Sequence, residues 1–314
     1  MKQLGSRRDW IKTSAALAGC ASLMSGINLA RAVTPTDYKG SARLRLSLAA
    51  YSFRDYFKDL DHTRDKETDA ARRIDMFDFI DYCAAQGCEG AELTSYYFPK
   101  DLTESYLLRI KRHAFVRGVS ISGTAVGNTF THTDPTRRGK EIAHVKSWVD
   151  RAAILGAPHI RVFAGGAQSG QSLDTAKKVC IEALEECGEY AATKGIFLGI
   201  ENHGGIVADA TAMIQIVQAV KSPWVGINLD TGNFHTDDVY GNIASCAPYA
   251  VNVQIKADIH AKSQPKQAAD LGRLVKILRE AKYRGFVALE YESKPDPYEA
   301  IPKLLSELRT LFAA

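Results

Sequence analysis

Gly195-Ile196-Phe197-Leu198-Gly199-Ile200-Glu201-Asn202-His203 is a short apolar run opened by a glycine and closed by three polar residues. It lies between two longer stretches, 174–193 and 207–219, whose apolar residues recur at three- and four-residue spacing, the mark of helices that bury one face. A short buried strand between two amphipathic helices is the repeating unit of a parallel β/α protein.

Working outward, the same unit recurs along the chain. Strands are expected at 46–53, 88–93, 119–126, 159–163, 196–202, 224–230, 249–256 and 286–291, and helices at 73–86, 102–116, 136–155, 174–193, 207–219, 237–247, 267–281 and 297–312. Gly87, Gly118, Gly156, Gly195 and Gly285 are expected where a helix stops and the chain reverses. An open doubly wound sheet would carry a glycine-rich phosphate turn after its first strand; Tyr51-Ser52-Phe53-Arg54 stands there instead. The reading is therefore α/β, a single closed (β/α)8 TIM barrel over 44–314, preceded by a signal segment over 1–32 and a polar, turn-forming linker over 33–43.

With 46% hydrophobic and 24% charged residues, the 314-residue chain has a globular composition. Its first 32 residues differ. Arg7-Arg8 precedes an apolar stretch and then Ala30-Arg31-Ala32, an order that resembles a twin-arginine export signal, with Leu17-Ala18-Gly19-Cys20 resembling a competing lipoprotein box. The stretch is too short and interrupted for a stable membrane span, so the protein is expected to be exported to the periplasm, with a lipid anchor at Cys20 as the lesser alternative. Residues 1–32 hold five Lys or Arg against one acid, so without them the formal charge falls from +4 to 0. That balance supplies no basic footprint for nucleic acid. Cys83, Cys88, Cys180, Cys187 and Cys246 are an odd set with no CxxC pair, which fits core thiols better than a disulfide framework or thiolate zinc. Homo-oligomerisation is left open.

In a barrel of this type the reaction site forms at the carboxyl ends of the strands. Period-two alternation puts Glu201 with His203, Asn228 with Asp230, Asn252 and Gln254 with Lys256, and Glu290 with Glu292 on common sides of four successive strands. Carboxylates brought so close repel one another unless a cation neutralises them. An oxygen-rich set of this kind suits one divalent ion, Mn2+, Mg2+ or Co2+ ahead of Zn2+.

Ile200-Glu201-Asn202-His203, Leu229-Asp230-Thr231-Gly232-Asn233 and Leu289-Glu290-Tyr291-Glu292 resemble the xylose isomerase-like superfamily of sugar isomerases and epimerases, over about residues 44–312. The resemblance implies a metal set of Glu, Asp, His and Glu from strands five to eight. Glu201, Asp230 and Glu290 match three of these positions, and Gln254 stands where the family usually has histidine. It implies further that a metal polarises a sugar carbonyl while Glu201 and Glu290 move a proton on the adjacent carbon. Lys256 then steadies the enediolate oxygen. His203, His235, Arg54, Glu92 and Arg161 are the expected substrate contacts, with Phe53, Tyr96, Tyr97 and Phe163 as apolar walls.

Plainer readings stand beside these. Gln254 fills the barrel mouth and bonds a neighbouring carboxylate, Arg161 balances buried acids, Glu292 forms a rim salt bridge, and His132 belongs to a polar loop. The leading expectation is a metal-dependent sugar isomerase or epimerase on a small carbohydrate. A lyase eliminating the aglycone of a 3-keto-glycoside needs the same acidic C–H, and a non-catalytic carbohydrate-binding barrel is the alternative that Gln254 keeps open. An endonuclease IV-like role needs a histidine-rich cluster, and Asn233 and Gln254 stand at two of its histidine positions.

Overall fold

Each of the eight α-helices among the described residues begins at an Asp, Ser or Thr whose side chain accepts a backbone N–H of the first turn. A cap of this kind is worth about 1 kcal/mol and fixes where the chain enters the helix. The computed structural model describes residues 33–58 and 69–314. The signal segment expected at 1–32 lies outside the described residues.

Eight strands close into one parallel barrel: β1 (Arg43–Ala49), β2 (Gly90–Thr94), β3 (Ser120–Ala125), β4 (His159–Val162), β5 (Phe197–Glu201), β6 (Val225–Asp230), β7 (Ala250–Ile255) and β10 (Arg284–Leu289). Between β7 and β10 lies a small antiparallel hairpin, β8 (Asp258–Ile259) and β9 (Gln267–Ala268), outside the barrel. The helices α1 (Met76–Ala85), α2 (Glu104–Val116), α3 (Pro135–Leu155), α4 (Leu173–Lys194), α5 (Ala210–Ala219), α6 (Val239–Cys246), α7 (Leu271–Glu280) and α8 (Pro297–Ala313) cover it. Helix α7 shows why they stay there: Leu271, Leu274, Val275 and Leu278 lie on one face and are all buried.

The expected (β/α)8 barrel is thus the observed fold, and its departures are local. Strand β1 ends at Ala49, and Ala50–Phe53 is a 3-10 turn, so Phe53 leaves the strand before the mouth. Gly156 and Gly195 cap α3 and α4 in the left-handed region. Gly285 does not stop a helix. The reversal after α7 falls on Lys282, at φ 55°, while Gly285 lies inside β10, where an added Cβ would meet the Tyr283 hydroxyl at 2.4 Å.

Residues 33–41 are docked against the barrel, where the sequence suggested a linker. Val33 N–H donates to the Val220 carbonyl, Thr36 N–H to Pro248, the Tyr38 hydroxyl to Ala250, and Arg284 to Ser41. Backbone polar groups laid on a folded surface need such partners. The five described cysteines are free and buried, as expected for core thiols. None of the described helices is long and apolar enough to cross a membrane.

Candidate functional site

The barrel interior is polar where branched apolar side chains usually fill it. Its middle layer is a closed ring of four side chains. Gln254 Nε2 donates to Glu92 Oε1 at 2.6 Å and Asn252 Nδ2 to Glu92 Oε2 at 2.7 Å. Asn252 Nδ2 also donates to Asn228 Oδ1 at 2.8 Å, and Asn228 Nδ2 closes the ring on Gln254 Oε1 at 2.6 Å. The strand register makes this possible, because Asn228 pairs with Asn252 and Asp230 with Gln254 across β6 and β7.

Glu92 is wholly buried in this ring. It is therefore not at the mouth, where the sequence had suggested a substrate contact. Against the cost of burial, His159 and the two amides hold its carboxyl below the ordinary range. The Gln254 carbonyl, expected to face a cation, accepts from Asn228 instead. Bonding to a carboxylate through its amide nitrogen is the plainer of the two roles the sequence offered it.

Above the ring, the ends of β5, β6, β7 and β10 bring Glu201, Asp230, Lys256 and Glu290 together, each at most 6% exposed. Lys256 Nζ stands 3.0 Å from Glu290 Oε2 and 3.3 Å from Asp230 Oδ2, and it also bonds Glu292. Arg161 Nε lies 2.9 Å from Glu201 Oε2, and Asn233 Nδ2 donates to Glu201 Oε1 at 2.9 Å. Glycine at 232 keeps this tight, since a Cβ there would meet the Lys256 side chain at 2.6 Å. Asp230 Oδ1 accepts from Gly232 N–H, but its Oδ2 is buried without a hydrogen bond.

Two cations thus face four carboxylates, and the imbalance shows in their acidity. Burial pushes Glu201, Asp230 and Glu290 each up to about 7, and their mutual repulsion adds to it, against the pull of Arg161 on Glu201 and of Lys256 on the other two. Lys256 is held protonated by Asp230 and Glu290 in spite of its burial. Among the described residues, no three His, Cys, Asp or Glu stand close enough to hold a metal ion; the Lys256 ammonium lies between Asp230 and Glu290.

The remaining candidates divide. His203 is exposed at its edge, with its ring 4.6 Å from Phe163, and the partial desolvation of the packed side of the imidazole, followed by the Arg161 charge, lowers its pKa. Arg161 itself lies 3.9 Å over the Phe163 ring. His235 is exposed, its Nδ1 3.0 Å from the His260 carbonyl. Arg54 donates to the Tyr291 carbonyl and lines a separate cleft beside Ser52. Phe53 and Tyr97 belong to the core, Phe53 4.9 Å from both Tyr82 and Tyr298, and Tyr97 stacked on Phe57. Phe53 is thus no part of the mouth.

A cavity of about 210 Å³ opens over Lys256 and Glu292, lined also by Asn233, His235, Asp258, His260 and Lys266. The last three come from the β8–β9 hairpin and had not been singled out. The signal available was the alternation Lys256-Ala257-Asp258-Ile259-His260, which continues the polar face of β7 past the barrel rim.

The family model described as a xylose isomerase-like TIM barrel matches residues 80–311. The human protein named "Putative hydroxypyruvate isomerase" is 24% identical over 241 residues, 71% of this chain and 87% of its own length. Among solved structures, a D-psicose 3-epimerase in the presence of D-fructose is similar with a TM-score of 0.66 at 16% identity, covering 86% of this chain and 97% of that one. An IolI protein with a bound zinc atom has a TM-score of 0.66 at 15% identity, covering 85% and 96%. At such identities the two structures speak for the fold.

Proposed function

Since the chain belongs to the xylose isomerase-like TIM barrel family, we propose that it is a sugar isomerase or epimerase that moves a proton on the carbon beside a carbonyl. One observation carries the reading. Glu201 and Glu290 stand at the carboxyl ends of β5 and β10, near enough for their charges to repel, and burial leaves each poised near neutrality, at about 7. A general acid or base works best when its pKa lies close to the working pH.

The two carboxyls differ in what surrounds them. Glu201 has one oxygen on Arg161 and the other on Asn233, which fixes its plane. Glu290 has Lys256 on Oε2, and no hydrogen bond from another described residue ties up its Oε1. We assign proton removal to Glu290 and its return to Glu201. Lys256, a buried ammonium beside Glu290, stabilises negative charge as it develops on the substrate oxygen. His203 and His235, exposed at the rim, orient substrate hydroxyls.

The donor types suit a divalent cation, although as the described acids stand no three of them are close enough to hold one. Asp230 Oδ2 is buried without a hydrogen bond, its one ion-pair partner among the described residues being Lys256, and the four carboxylates outnumber the two side-chain cations that meet them by two charges. Glu201, Asp230 and Glu290 are the residues that would hold the ion once the Lys256 ammonium between Asp230 and Glu290 gives way and the three acids draw together, with oxygen chemistry suited to Mn2+, Mg2+ or Co2+ and compatible with Zn2+. When bound, such an ion supplies Lewis-acid polarisation of the carbonyl. The zinc atom bound in the IolI structure, a barrel of the same fold, supports a metal here. On the strength of the Arg7-Arg8 segment, the reaction is assigned to the periplasm and to sugars without phosphate.

Incubating the purified chain and Mn2+ with ketoses, inositols and 3-keto-glycosides, and analysing products by NMR, tests this reading. Stereoisomers or aldose–ketose pairs are expected. Release of an aglycone would instead make it a lyase, and sugar binding with no turnover would make it a binding protein.

A further inference from the structure

On the face of the barrel opposite the carboxylates, the strands open into a second cavity of about 640 Å³, a volume typical of small-molecule sites. Its roof is the docked segment 33–38, held down by Val33 on Val220, Thr36 on Pro248 and Tyr38 on Ala250. Phe197, Val251 and Phe286 make its walls largely apolar.

Two basic side chains of this cavity differ in what they can offer a ligand. His159, 2% exposed, is turned to Glu92, its buried Nε2 3.7 Å from the Glu92 carboxylate and without a hydrogen bond, so it is committed to the barrel interior. The ring has room only because residue 123 is glycine, where an added Cβ would fall 1.8 Å from His159 Cε1. At the rim, the exposed Arg284 bonds the Ser41 carbonyl through its side chain, at 2.6 Å, and is in no ion pair with a described residue, while the one acid of the lining, Asp37, is taken by Lys39. Its neighbour Arg45 is already paired with Glu89 and seated over Phe286.

We propose that this basal cavity is a second binding site, for an apolar, ring-bearing small molecule carrying one carboxylate. The ring system lies between Phe197, Val251 and Phe286, and the carboxylate meets Arg284 at the rim. The predominance of apolar surface in the walls favours a ring system over a sugar, and a neutral hydrocarbon would make no use of the guanidinium. The site is separate from the proposed reaction centre and stands whatever the reaction there.

The test uses the full chain and two probes of equal shape, 2-naphthoate and its neutral amide, titrated by calorimetry. The expected result is one saturable naphthoate site per chain, at least about tenfold tighter than the amide, the worth of a charged hydrogen bond. The preference should vanish in Arg284→Ala and in Arg284→Met, which keeps an apolar stem. Naphthoate should also slow amide hydrogen exchange within residues 33–41. No saturable binding, equal affinity for the two probes, an unchanged preference in both variants, or protection confined to the Glu201–Glu290 face would each overturn the proposal.

Discussion

The ammonium of Lys256 lies 3.0 Å from the carboxylate of Glu290, and neither side chain has more than 8% of its surface exposed. A lysine so placed is the local substitute for part of the positive charge that the acids around it require. Removing it leaves buried carboxylates unpaired, which typically costs about 3–5 kcal/mol. Lys256→Met is therefore expected to lower the unfolding free energy of the metal-free protein by roughly that amount, read by urea denaturation. The same variant should bind Mn2+ more tightly than the wild type, because one competing cation is gone.

Glu201→Gln and Glu290→Gln should each lower kcat by about 10²–10⁴ while KM changes far less, since the lost function is proton transfer and the shape is kept. Steady-state kinetics on whichever sugar is turned over checks this. An unchanged kcat in Glu290→Gln would remove the base assigned above.

Burial raises Glu201 and Glu290 from 4.5 to about 7. The folded metal-free protein therefore holds protons that the unfolded chain has released between those two values, so stability falls as pH rises through that window and levels off above it. The melting temperature of the metal-free protein should be higher at pH 5 than at pH 7.5 so far as these groups set it, and the slope should flatten in Glu201→Gln. Circular dichroism melts across that range provide the measurement.

Gly123→Ala should destabilise the protein by more than about 2 kcal/mol, because the new methyl has no space beside the His159 ring in the packed barrel interior. Pairing it with His159→Ala should recover part of the loss, a double-mutant cycle read from urea midpoints.

Much of this was legible in the sequence because it is local. The apolar runs bounded by helix caps gave the eight strands, and polar residues at alternate positions near the ends of strands five to eight pointed to Glu201, Asp230, Lys256 and Glu290. What escaped was set by packing across the barrel. Glu92 and Gln254 are separated by 162 positions, and nothing near either one announces that they bond. The left-handed turn at Lys282 overrides the preference for glycine because the helix reversal is fixed by its own backbone bonds, Lys282 to Arg279 and Tyr283 to Leu278. Residues 33–41 read as a linker because their polar composition says nothing of the carbonyls that await them at Val220, Pro248 and Ala250.

Solvent-deuterium exchange tests the central claim most directly. With Mn2+ and a ketose that the protein binds, in deuterated water, the wild type should place deuterium on the carbon next to the carbonyl, and Glu290→Gln should not. A bound sugar that gains no deuterium in the wild type, or gains it equally in Glu201→Gln and Glu290→Gln, would contradict the account.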